Sequence, residues 1–260
     1  MSAGGPPPLP QPLPPRTAPD LGGATLAIVG YFLLQLLAVL PLALVLALST
    51  AGAARSPAEL QRQLLASPAL LVGSLALSAL PMLWWMHRRW RAWWRQPVPP
   101  GFGFTRPARS RAWLLPALAL GLGWPLLGGL LTTWLSGGEE ITQDVMMVLR
   151  HAPPGWLAAL VLVIVGLGPL VEEALFRGLL LSALLRHWRT HWAVVASAAA
   201  FALVHVPGLT GQWYALPALF GLGVGCALLR LRAGSIWPAV LAHALNNAIA
   251  VASARLLLST

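Results

Sequence analysis

Three short polar segments in the second half of the chain contain the residue types that hydrolytic sites use. They are "EEALFR" at 172–177, "FALVH" at 201–205 and "HALNN" at 243–247. In each segment two side chains stand four residues apart, and this spacing places both on one face of a helix. The three pairs are Glu173 with Arg177, Phe201 with His205, and His243 with Asn247.

Glu172 is the candidate general base of this set. Glu173 precedes Arg177 in the order that favours an ion pair within a helix, so this pair leaves the Glu172 carboxylate free, about 100° away around the helix. A free carboxylate can take a proton from a water molecule. His205 can hold that water or donate a hydrogen bond to a substrate carbonyl, and Glu173, Arg177 and Phe201 would support the site.

His243 and Asn247 are candidates for stabilising the oxyanion that forms when water attacks a carbonyl group. The set as a whole therefore predicts hydrolysis of an amide bond. The same residue types also allow a zinc site in which Glu172, His205 and His243 are the ligands and a fourth position stays open. The sequence does not choose between a metal-bound and a metal-free water, so zinc is a candidate cofactor only.

The elements that must position these residues are membrane helices. Of the 260 residues, 57% are hydrophobic and 9% are charged, whereas soluble domains carry about 25% charged residues. Apolar runs recur from residue 24 to the C-terminus, and several are long enough to span a bilayer. They predict an all-α, polytopic transmembrane helical bundle with about seven spans. The predicted spans are 24–49, 66–87, 113–135, 156–185, 192–206, 214–229 and 235–257.

The fourth span holds Glu172 and is unusually long. Its 30 residues would form a helix of about 45 Å, against a hydrocarbon core of about 30 Å. Gly166, Gly168 and Pro169 lie near its middle and predict a kink or a break into two helices. Glu172 would lie about 24 Å from the outer end, and an acid at that depth must face protein or water.

Two glycines in the sixth span predict close helix packing. Gly221 and Gly225 form a G-x-x-x-G pair, which lets helix backbones approach each other. The pair fits either ordinary packing of membrane helices or a face that brings the two histidine-bearing spans together.

The charges in the loops predict an orientation. The loop 88–112 holds seven Arg and no acid, and the loops 186–191 and 230–234 hold two Arg each, so all three are expected in the cytoplasm. The acidic loop around 139–144 then lies outside, with the N-terminus inside and the C-terminus outside. These features predict an integral protein of the bacterial inner (plasma) membrane.

The chain divides into three parts by composition. Residues 1–23, which include "PPPLPQPLPP", form a Pro-rich cytoplasmic tail without a core-forming pattern. Residues 24–155 contain the N-terminal transmembrane helices with the Arg- and Trp-rich cytoplasmic loop 88–112. Residues 156–260 form the catalytic transmembrane core.

Several function classes are disfavoured by the sequence. It contains no H-E-x-x-H, no G-x-S-G and no Asp within a predicted span, which argues against site-2-type zinc, rhomboid-like serine and presenilin-type aspartyl proteases. Clustered Arg and Trp suit lipid headgroups, so membrane lipids are expected partners and nucleic acid is not. A non-enzymatic membrane immunity or binding protein and a proton-coupled transporter remain alternatives, because buried Glu, His and Arg also build binding sites and proton relays.

The three segments, taken in order, resemble the E-E-x-x-x-R, F-x-x-x-H and H-x-x-x-N/B motifs of the CAAX protease and bacteriocin-processing (CPBP, or Abi) family. The resemblance covers roughly residues 156–257. It implies an intramembrane endopeptidase that acts on membrane-associated peptides or proteins, with Glu172 and His205 activating water and with His243 and Asn247 at the oxyanion. Members are commonly labelled metalloproteases, although a metal-free glutamate mechanism has also been argued. The family core is usually embedded in more helices, so seven spans departs modestly from some members.

Overall fold

The fold is entirely helical in the part of the chain that the structure describes. The computed structural model describes residues 18–50, 56–107, 110–138, 144–209 and 211–256. Most of the Pro-rich tail (1–17) and the acids Glu139 and Glu140 lie outside these ranges. The described residues form helices and no β-strand, which confirms the all-α class. The helices are α1 (Leu21–Thr50), α2 (Pro57–Leu65), α3 (Pro68–Arg89), α4 (Ser110–Leu135), α5 (Asp144–His151), α6 (Pro154–Leu184), α7 (Thr190–Leu203), α8 (Leu216–Ala233) and α9 (Trp237–Leu256).

Each of the seven predicted spans corresponds to a helix. Among the described residues, five helical stretches are long and apolar enough to cross a membrane. They are Leu21–Ser49, Pro68–Arg89, Arg111–Leu135, Pro154–Leu184 and Trp213–Ala233. The fifth predicted span is the shorter apolar helix α7, and the seventh is α9, whose His and two Asn lower its hydropathy. About seven spans is consistent with this arrangement, and the chain is an integral membrane protein.

Local sequence explains where the helices begin and end. At the start of α3, the Ser67 hydroxyl oxygen accepts a hydrogen bond from the Leu70 backbone N–H at 3.4 Å. Pro68 follows as the first helical residue, where its missing N–H would have had no partner within the helix. Helix α8 ends at Gly234, whose φ of 61° lies in the left-handed region that favours glycine. This residue separates α8 from α9 within a short turn.

Helix α6 runs through the bundle without a break. Two π-helical turns, Leu162–Leu167 and Ala174–Leu180, flank the α-helical segment Gly168–Glu173. Pro169 has no N–H to donate and crowds the preceding turn, and a wider turn before it relieves this conflict. Of the two predicted alternatives, a kink or a break into two helices, the break does not occur, and irregular helical turns lie at this place.

The middle of α6 is buried between the N-terminal and C-terminal helices. Leu175 and Phe176 of α6 are fully buried in a cluster that also contains Tyr31 of α1, Met82 of α3 and Phe201 of α7. By contrast, large apolar side chains along α1 are exposed on the outer surface of the bundle, as a lipid-facing helix requires. The cluster fixes α6 as the central element.

The glycines of α8 pack against two different helices. Gly221 and Gly225 face α4, where a Cβ at either position would collide with a side chain. Gly223 lies on another face, and a Cβ there would lie 3.1 Å from the Ala198 Cβ of α7. The interpretation that Gly221 and Gly225 unite the two histidine-bearing helices is therefore wrong, because they pack α8 on α4.

The Arg- and Trp-rich loop 90–107 folds back onto one end of the bundle. The Arg230 side chain of α8 is fully buried beneath it. Its guanidinium donates hydrogen bonds to the carbonyl oxygens of Phe102 at 3.1 Å, Pro97 at 2.8 Å and Gly101 at 2.6 Å. Since an Arg fork is rigid and planar, these three bonds fix the position of the loop.

Candidate active site

The deepest layer of the site is an ion pair between Glu173 and Arg177 on α6. Both side chains are fully buried, and Arg177 Nη1 lies 3.1 Å from Glu173 Oε1 without the alignment of a hydrogen bond. Arg177 Nη2 donates to the Gly223 carbonyl at 3.1 Å, and its guanidinium lies 4.3 Å from the centre of the Phe201 ring. Carboxylate, carbonyl and aromatic face together compensate the buried cation.

His243 of α9 joins this pair to the second carboxylate. Its Nδ1 lies 2.9 Å from Glu173 Oε1, and its Nε2 lies 3.8 Å from Glu172 Oε2. The ring is almost fully buried and meets the Phe201 ring edge to face at 5.4 Å. Because a carboxylate only accepts hydrogen bonds, Nδ1 carries the hydrogen and Nε2 points towards Glu172.

His205 lies just beyond the end of α7, which stops at Leu203 and not at the predicted residue 206. Its Nδ1 lies 2.7 Å from the Phe201 carbonyl oxygen, one turn earlier, so this nitrogen also carries the hydrogen. Its Nε2 lies 3.9 Å from Glu172 Oε2. The ring is fixed by the helix end, and 30% of the side chain is exposed.

Glu172 is the point at which these groups converge. Its side chain is 22% exposed, and Oε2 has no hydrogen-bond partner among the described residues. In their neutral forms both imidazoles present an unprotonated Nε2 to this oxygen, so three acceptors face one another at 3.8 and 3.9 Å. A water molecule can donate two hydrogen bonds to such a set, and its oxygen would then lie beside a base.

Asn247 lies in the same helix as His243 but is engaged with α6. Its Nδ2 donates to the Ile164 carbonyl at 3.0 Å, and its Oδ1 lies 3.4 Å from the amide nitrogen of Asn246. Asn246 itself lines a separate cavity of about 790 Å³ between α4, α8 and α9. The structure thus brings Glu172, His205 and His243 together, whereas Asn247 holds α9 against α6 with one of its two amide hydrogens.

Two site neighbours on the N-terminal helices were missed by sequence reasoning. Tyr31 of α1 is 3% exposed and lies near both Ser78 of α3 and the charge of Glu172. The Ser78 hydroxyl itself donates to the Ser74 carbonyl at 2.7 Å. Tyr31 and Ser78 are isolated polar residues in apolar runs, and that isolation was the signal available in the sequence.

The zinc alternative does not fit this arrangement. Tetrahedral zinc holds nitrogen and oxygen ligands at about 2.0–2.2 Å, which brings each pair of ligand atoms to about 3.4 Å. The Glu172 oxygen lies 3.8 and 3.9 Å from the two imidazole nitrogens. Across the described ranges, no group of three or more His, Cys, Asp or Glu is arranged to hold a metal ion.

One comparison with known proteins finds a family that resembles the segment around this site. Residues 153–249 match the family described as Rce1-like, type II CAAX prenyl endopeptidase Rce1-like. No curated protein and no solved structure matches the chain. The matched segment contains all three motifs and every residue of the Glu172, His205 and His243 cluster. This segment of the chain is therefore similar to the Rce1-like family of CAAX-type proteases, as its three motifs indicated.

Proposed function

We propose that this protein is an intramembrane endopeptidase in which Glu172 activates water to hydrolyse a peptide bond of a membrane-associated peptide or protein. The observation that carries the proposal is Glu172 Oε2, which has no hydrogen-bond partner among the described residues and faces the Nε2 atoms of His205 and His243. A carboxylate within a membrane helix is costly unless it has a function. The family match supports the reaction class.

The reaction follows from the positions of the groups. Glu172 takes one proton from a water molecule as the water oxygen bonds to the carbonyl carbon of the substrate, and the carbonyl oxygen becomes an oxyanion. The carbon–nitrogen bond then breaks, and the proton on Glu172 passes to the leaving amine. The products are a carboxylic acid and an amine. His205 Nε2, 3.9 Å from the base, accepts the second hydrogen of the water and orients its oxygen.

His243 is the proposed donor to the oxyanion. The Glu173 carboxylate holds its Nδ1 and thereby directs Nε2 into the site, where the ring can donate a hydrogen bond once Nε2 has taken up a proton. The second amide hydrogen of Asn247, which the Ile164 carbonyl does not use, is the other candidate donor. Arg177 and Phe201 act on the reaction only by holding Glu173 and the two rings in place.

The proposed setting is a bacterial plasma membrane, with the N-terminus in the cytoplasm and the C-terminus outside. Its partners would be membrane lipids and a membrane-associated peptide or protein substrate. The proposed chemistry uses no metal, because the carboxylate and the two imidazoles are too far apart for tetrahedral zinc.

Glu172→Gln is the variant that tests the function. Membranes from cells that express wild type, Glu172→Gln or His205→Ala are compared for peptides with newly formed termini. Loss of a general base slows hydrolysis by about 10² to 10⁴-fold, so we expect uncleaved substrate to accumulate in Glu172→Gln. Glu59→Gln, the same change in helix α2, is the matched control. Full cleavage by Glu172→Gln would reject the role of Glu172, and an unchanged cellular effect without any cleavage would favour a binding protein.

A further inference from the structure

The site is sealed on the face of the bundle that carries the loop 90–107. Phe102 of this loop is fully buried, and a Cβ at Gly178, six residues after Glu172, would lie 2.8 Å from the Phe102 ring. One turn further along α6, the Ser182 hydroxyl donates to the Gly101 carbonyl at 3.1 Å. Loop and helix are therefore in direct contact directly below the site, and the loop closes this face.

The accessible part of the site lies at the opposite end. Glu172 and His205 are 22% and 30% exposed, whereas Glu173 and Arg177, which lie nearer the sealed face, are fully buried. Val206, the residue after His205, is 44% exposed. Helix α7 stops before His205, and the described residues between it and α8 form short helical turns. Helix α5 packs against this segment, yet Glu172, His205 and Val206 keep exposed surface here.

The distribution of charged residues in the loops places the sealed face on the cytoplasmic side, and this argument does not depend on the geometry of the site. The loop 88–112 holds seven Arg without an acid, and the turns after α6 and around the end of α8 add four more. The opposite end holds both Arg and acidic residues, among them Arg62, Glu59 and Asp144. An excess of Arg marks the cytoplasmic side of a membrane protein.

We propose that the substrate reaches Glu172 from the extracytoplasmic side of the membrane. The inference rests on the proposed function and narrows its substrates to a class: exported peptides, and membrane proteins whose scissile segment lies in the outer leaflet or just outside it. A peptide held at the cytoplasmic surface is separated from the base by the loop 90–107 and by the buried Glu173–Arg177 pair.

Accessibility of single cysteines tests this direction without requiring activity. Glu172→Cys and Val206→Cys probe the site and the segment next to it, and Val98→Cys, at a position 69% exposed, probes the loop. The wild-type chain is the background control, because its only cysteine, Cys226, is fully buried. A charged, membrane-impermeant methanethiosulfonate reagent is applied to intact spheroplasts and to inside-out vesicles.

We expect Glu172→Cys and Val206→Cys to react in spheroplasts and to lose most of this labelling in inside-out vesicles. Val98→Cys is expected to show the reverse pattern. Reaction of Glu172→Cys only in inside-out vesicles, or on neither side while Val206→Cys still reacts, would overturn the proposed access. Reaction of Val98→Cys in spheroplasts would overturn the orientation. Since labelling needs no hydrolysis, a protein that shows the expected pattern but cleaves nothing would reject the proposed function and leave the access route intact.

Discussion

Replacing Glu173 with Gln is expected to destabilise the protein far more than the same change at the neighbouring Glu172. Glu173 and Arg177 are both fully buried at 3.1 Å, and Glu173 also accepts the 2.9 Å hydrogen bond from His243. Gln keeps the size of the side chain but leaves the Arg177 charge without its carboxylate. Breaking a buried pair in this way costs about 3–5 kcal/mol, which is two to four powers of ten in the unfolding equilibrium. At about 2–4 °C per kcal/mol, the unfolding temperature should fall by roughly 6–20 °C.

Glu172→Gln is the matched control, because it makes the same chemical change one residue away. The Glu172 side chain is 22% exposed, and its Oε2 has no hydrogen-bond partner among the described residues, so Gln breaks no buried pair. Its stability should stay within about 1 kcal/mol of wild type. Unfolding of the purified proteins in detergent is followed by the fluorescence of the 13 tryptophans. Equal unfolding temperatures for Glu173→Gln and wild type, or equal losses in the two variants, would refute the division between a structural and a free carboxylate.

Three further predictions concern the loop, the oxyanion donor and metal dependence. Arg230→Lys should lower the unfolding temperature and expose the loop 90–107 to proteolysis. The Arg230 guanidinium donates to three carbonyls at 2.6–3.1 Å, and a single ammonium group cannot replace it. Unchanged protease resistance of Arg230→Lys would contradict this prediction. Asn247→Ala should cost about 1–3 kcal/mol of stability, because it leaves the Ile164 carbonyl unpaired. The same variant should have a lower kcat. Unchanged stability would show that this hydrogen bond is not needed. Hydrolysis in proteoliposomes should survive exhaustive chelation, and loss of activity that zinc restores would reject the metal-free reaction.

The sequence was sufficient to predict the helical class, most of the spans and the family match of residues 153–249, because these depend on local patterns. Apolar runs of spanning length define membrane helices whatever their partners are. The four-residue spacing of Glu173 and Arg177 correctly indicated their ion pair, since neighbours on one helix need no tertiary information. The same spacing argument predicted that Glu172 has no ion-pair partner on its own helix.

What the sequence could not supply depends on contacts between distant segments. The role of Gly223 is set by Ala198 and by the Arg177 side chain, neither of which its own sequence neighbourhood reveals. Tyr31 and Ser78 reach the site from the N-terminal helices, so motifs confined to the second half of the chain gave no reason to select them. Pro169 was a correct signal of irregular geometry, but only the packing around α6 decides between a break and a π turn.

The charge balance of the site explains why a water molecule is the natural reactant. Arg177 is the one cationic side chain in ion-pair contact with either carboxylate in the described part of the chain, and Glu173 compensates it. The hydrogen of each imidazole Nδ1 is already used, by Glu173 for His243 and by the Phe201 carbonyl for His205. The Glu172 oxygen can therefore gain a hydrogen bond only from a molecule that brings its own hydrogens, or from a ring that has become protonated. Water satisfies this requirement while both imidazoles are neutral, and its proton is then adjacent to the base that the reaction needs.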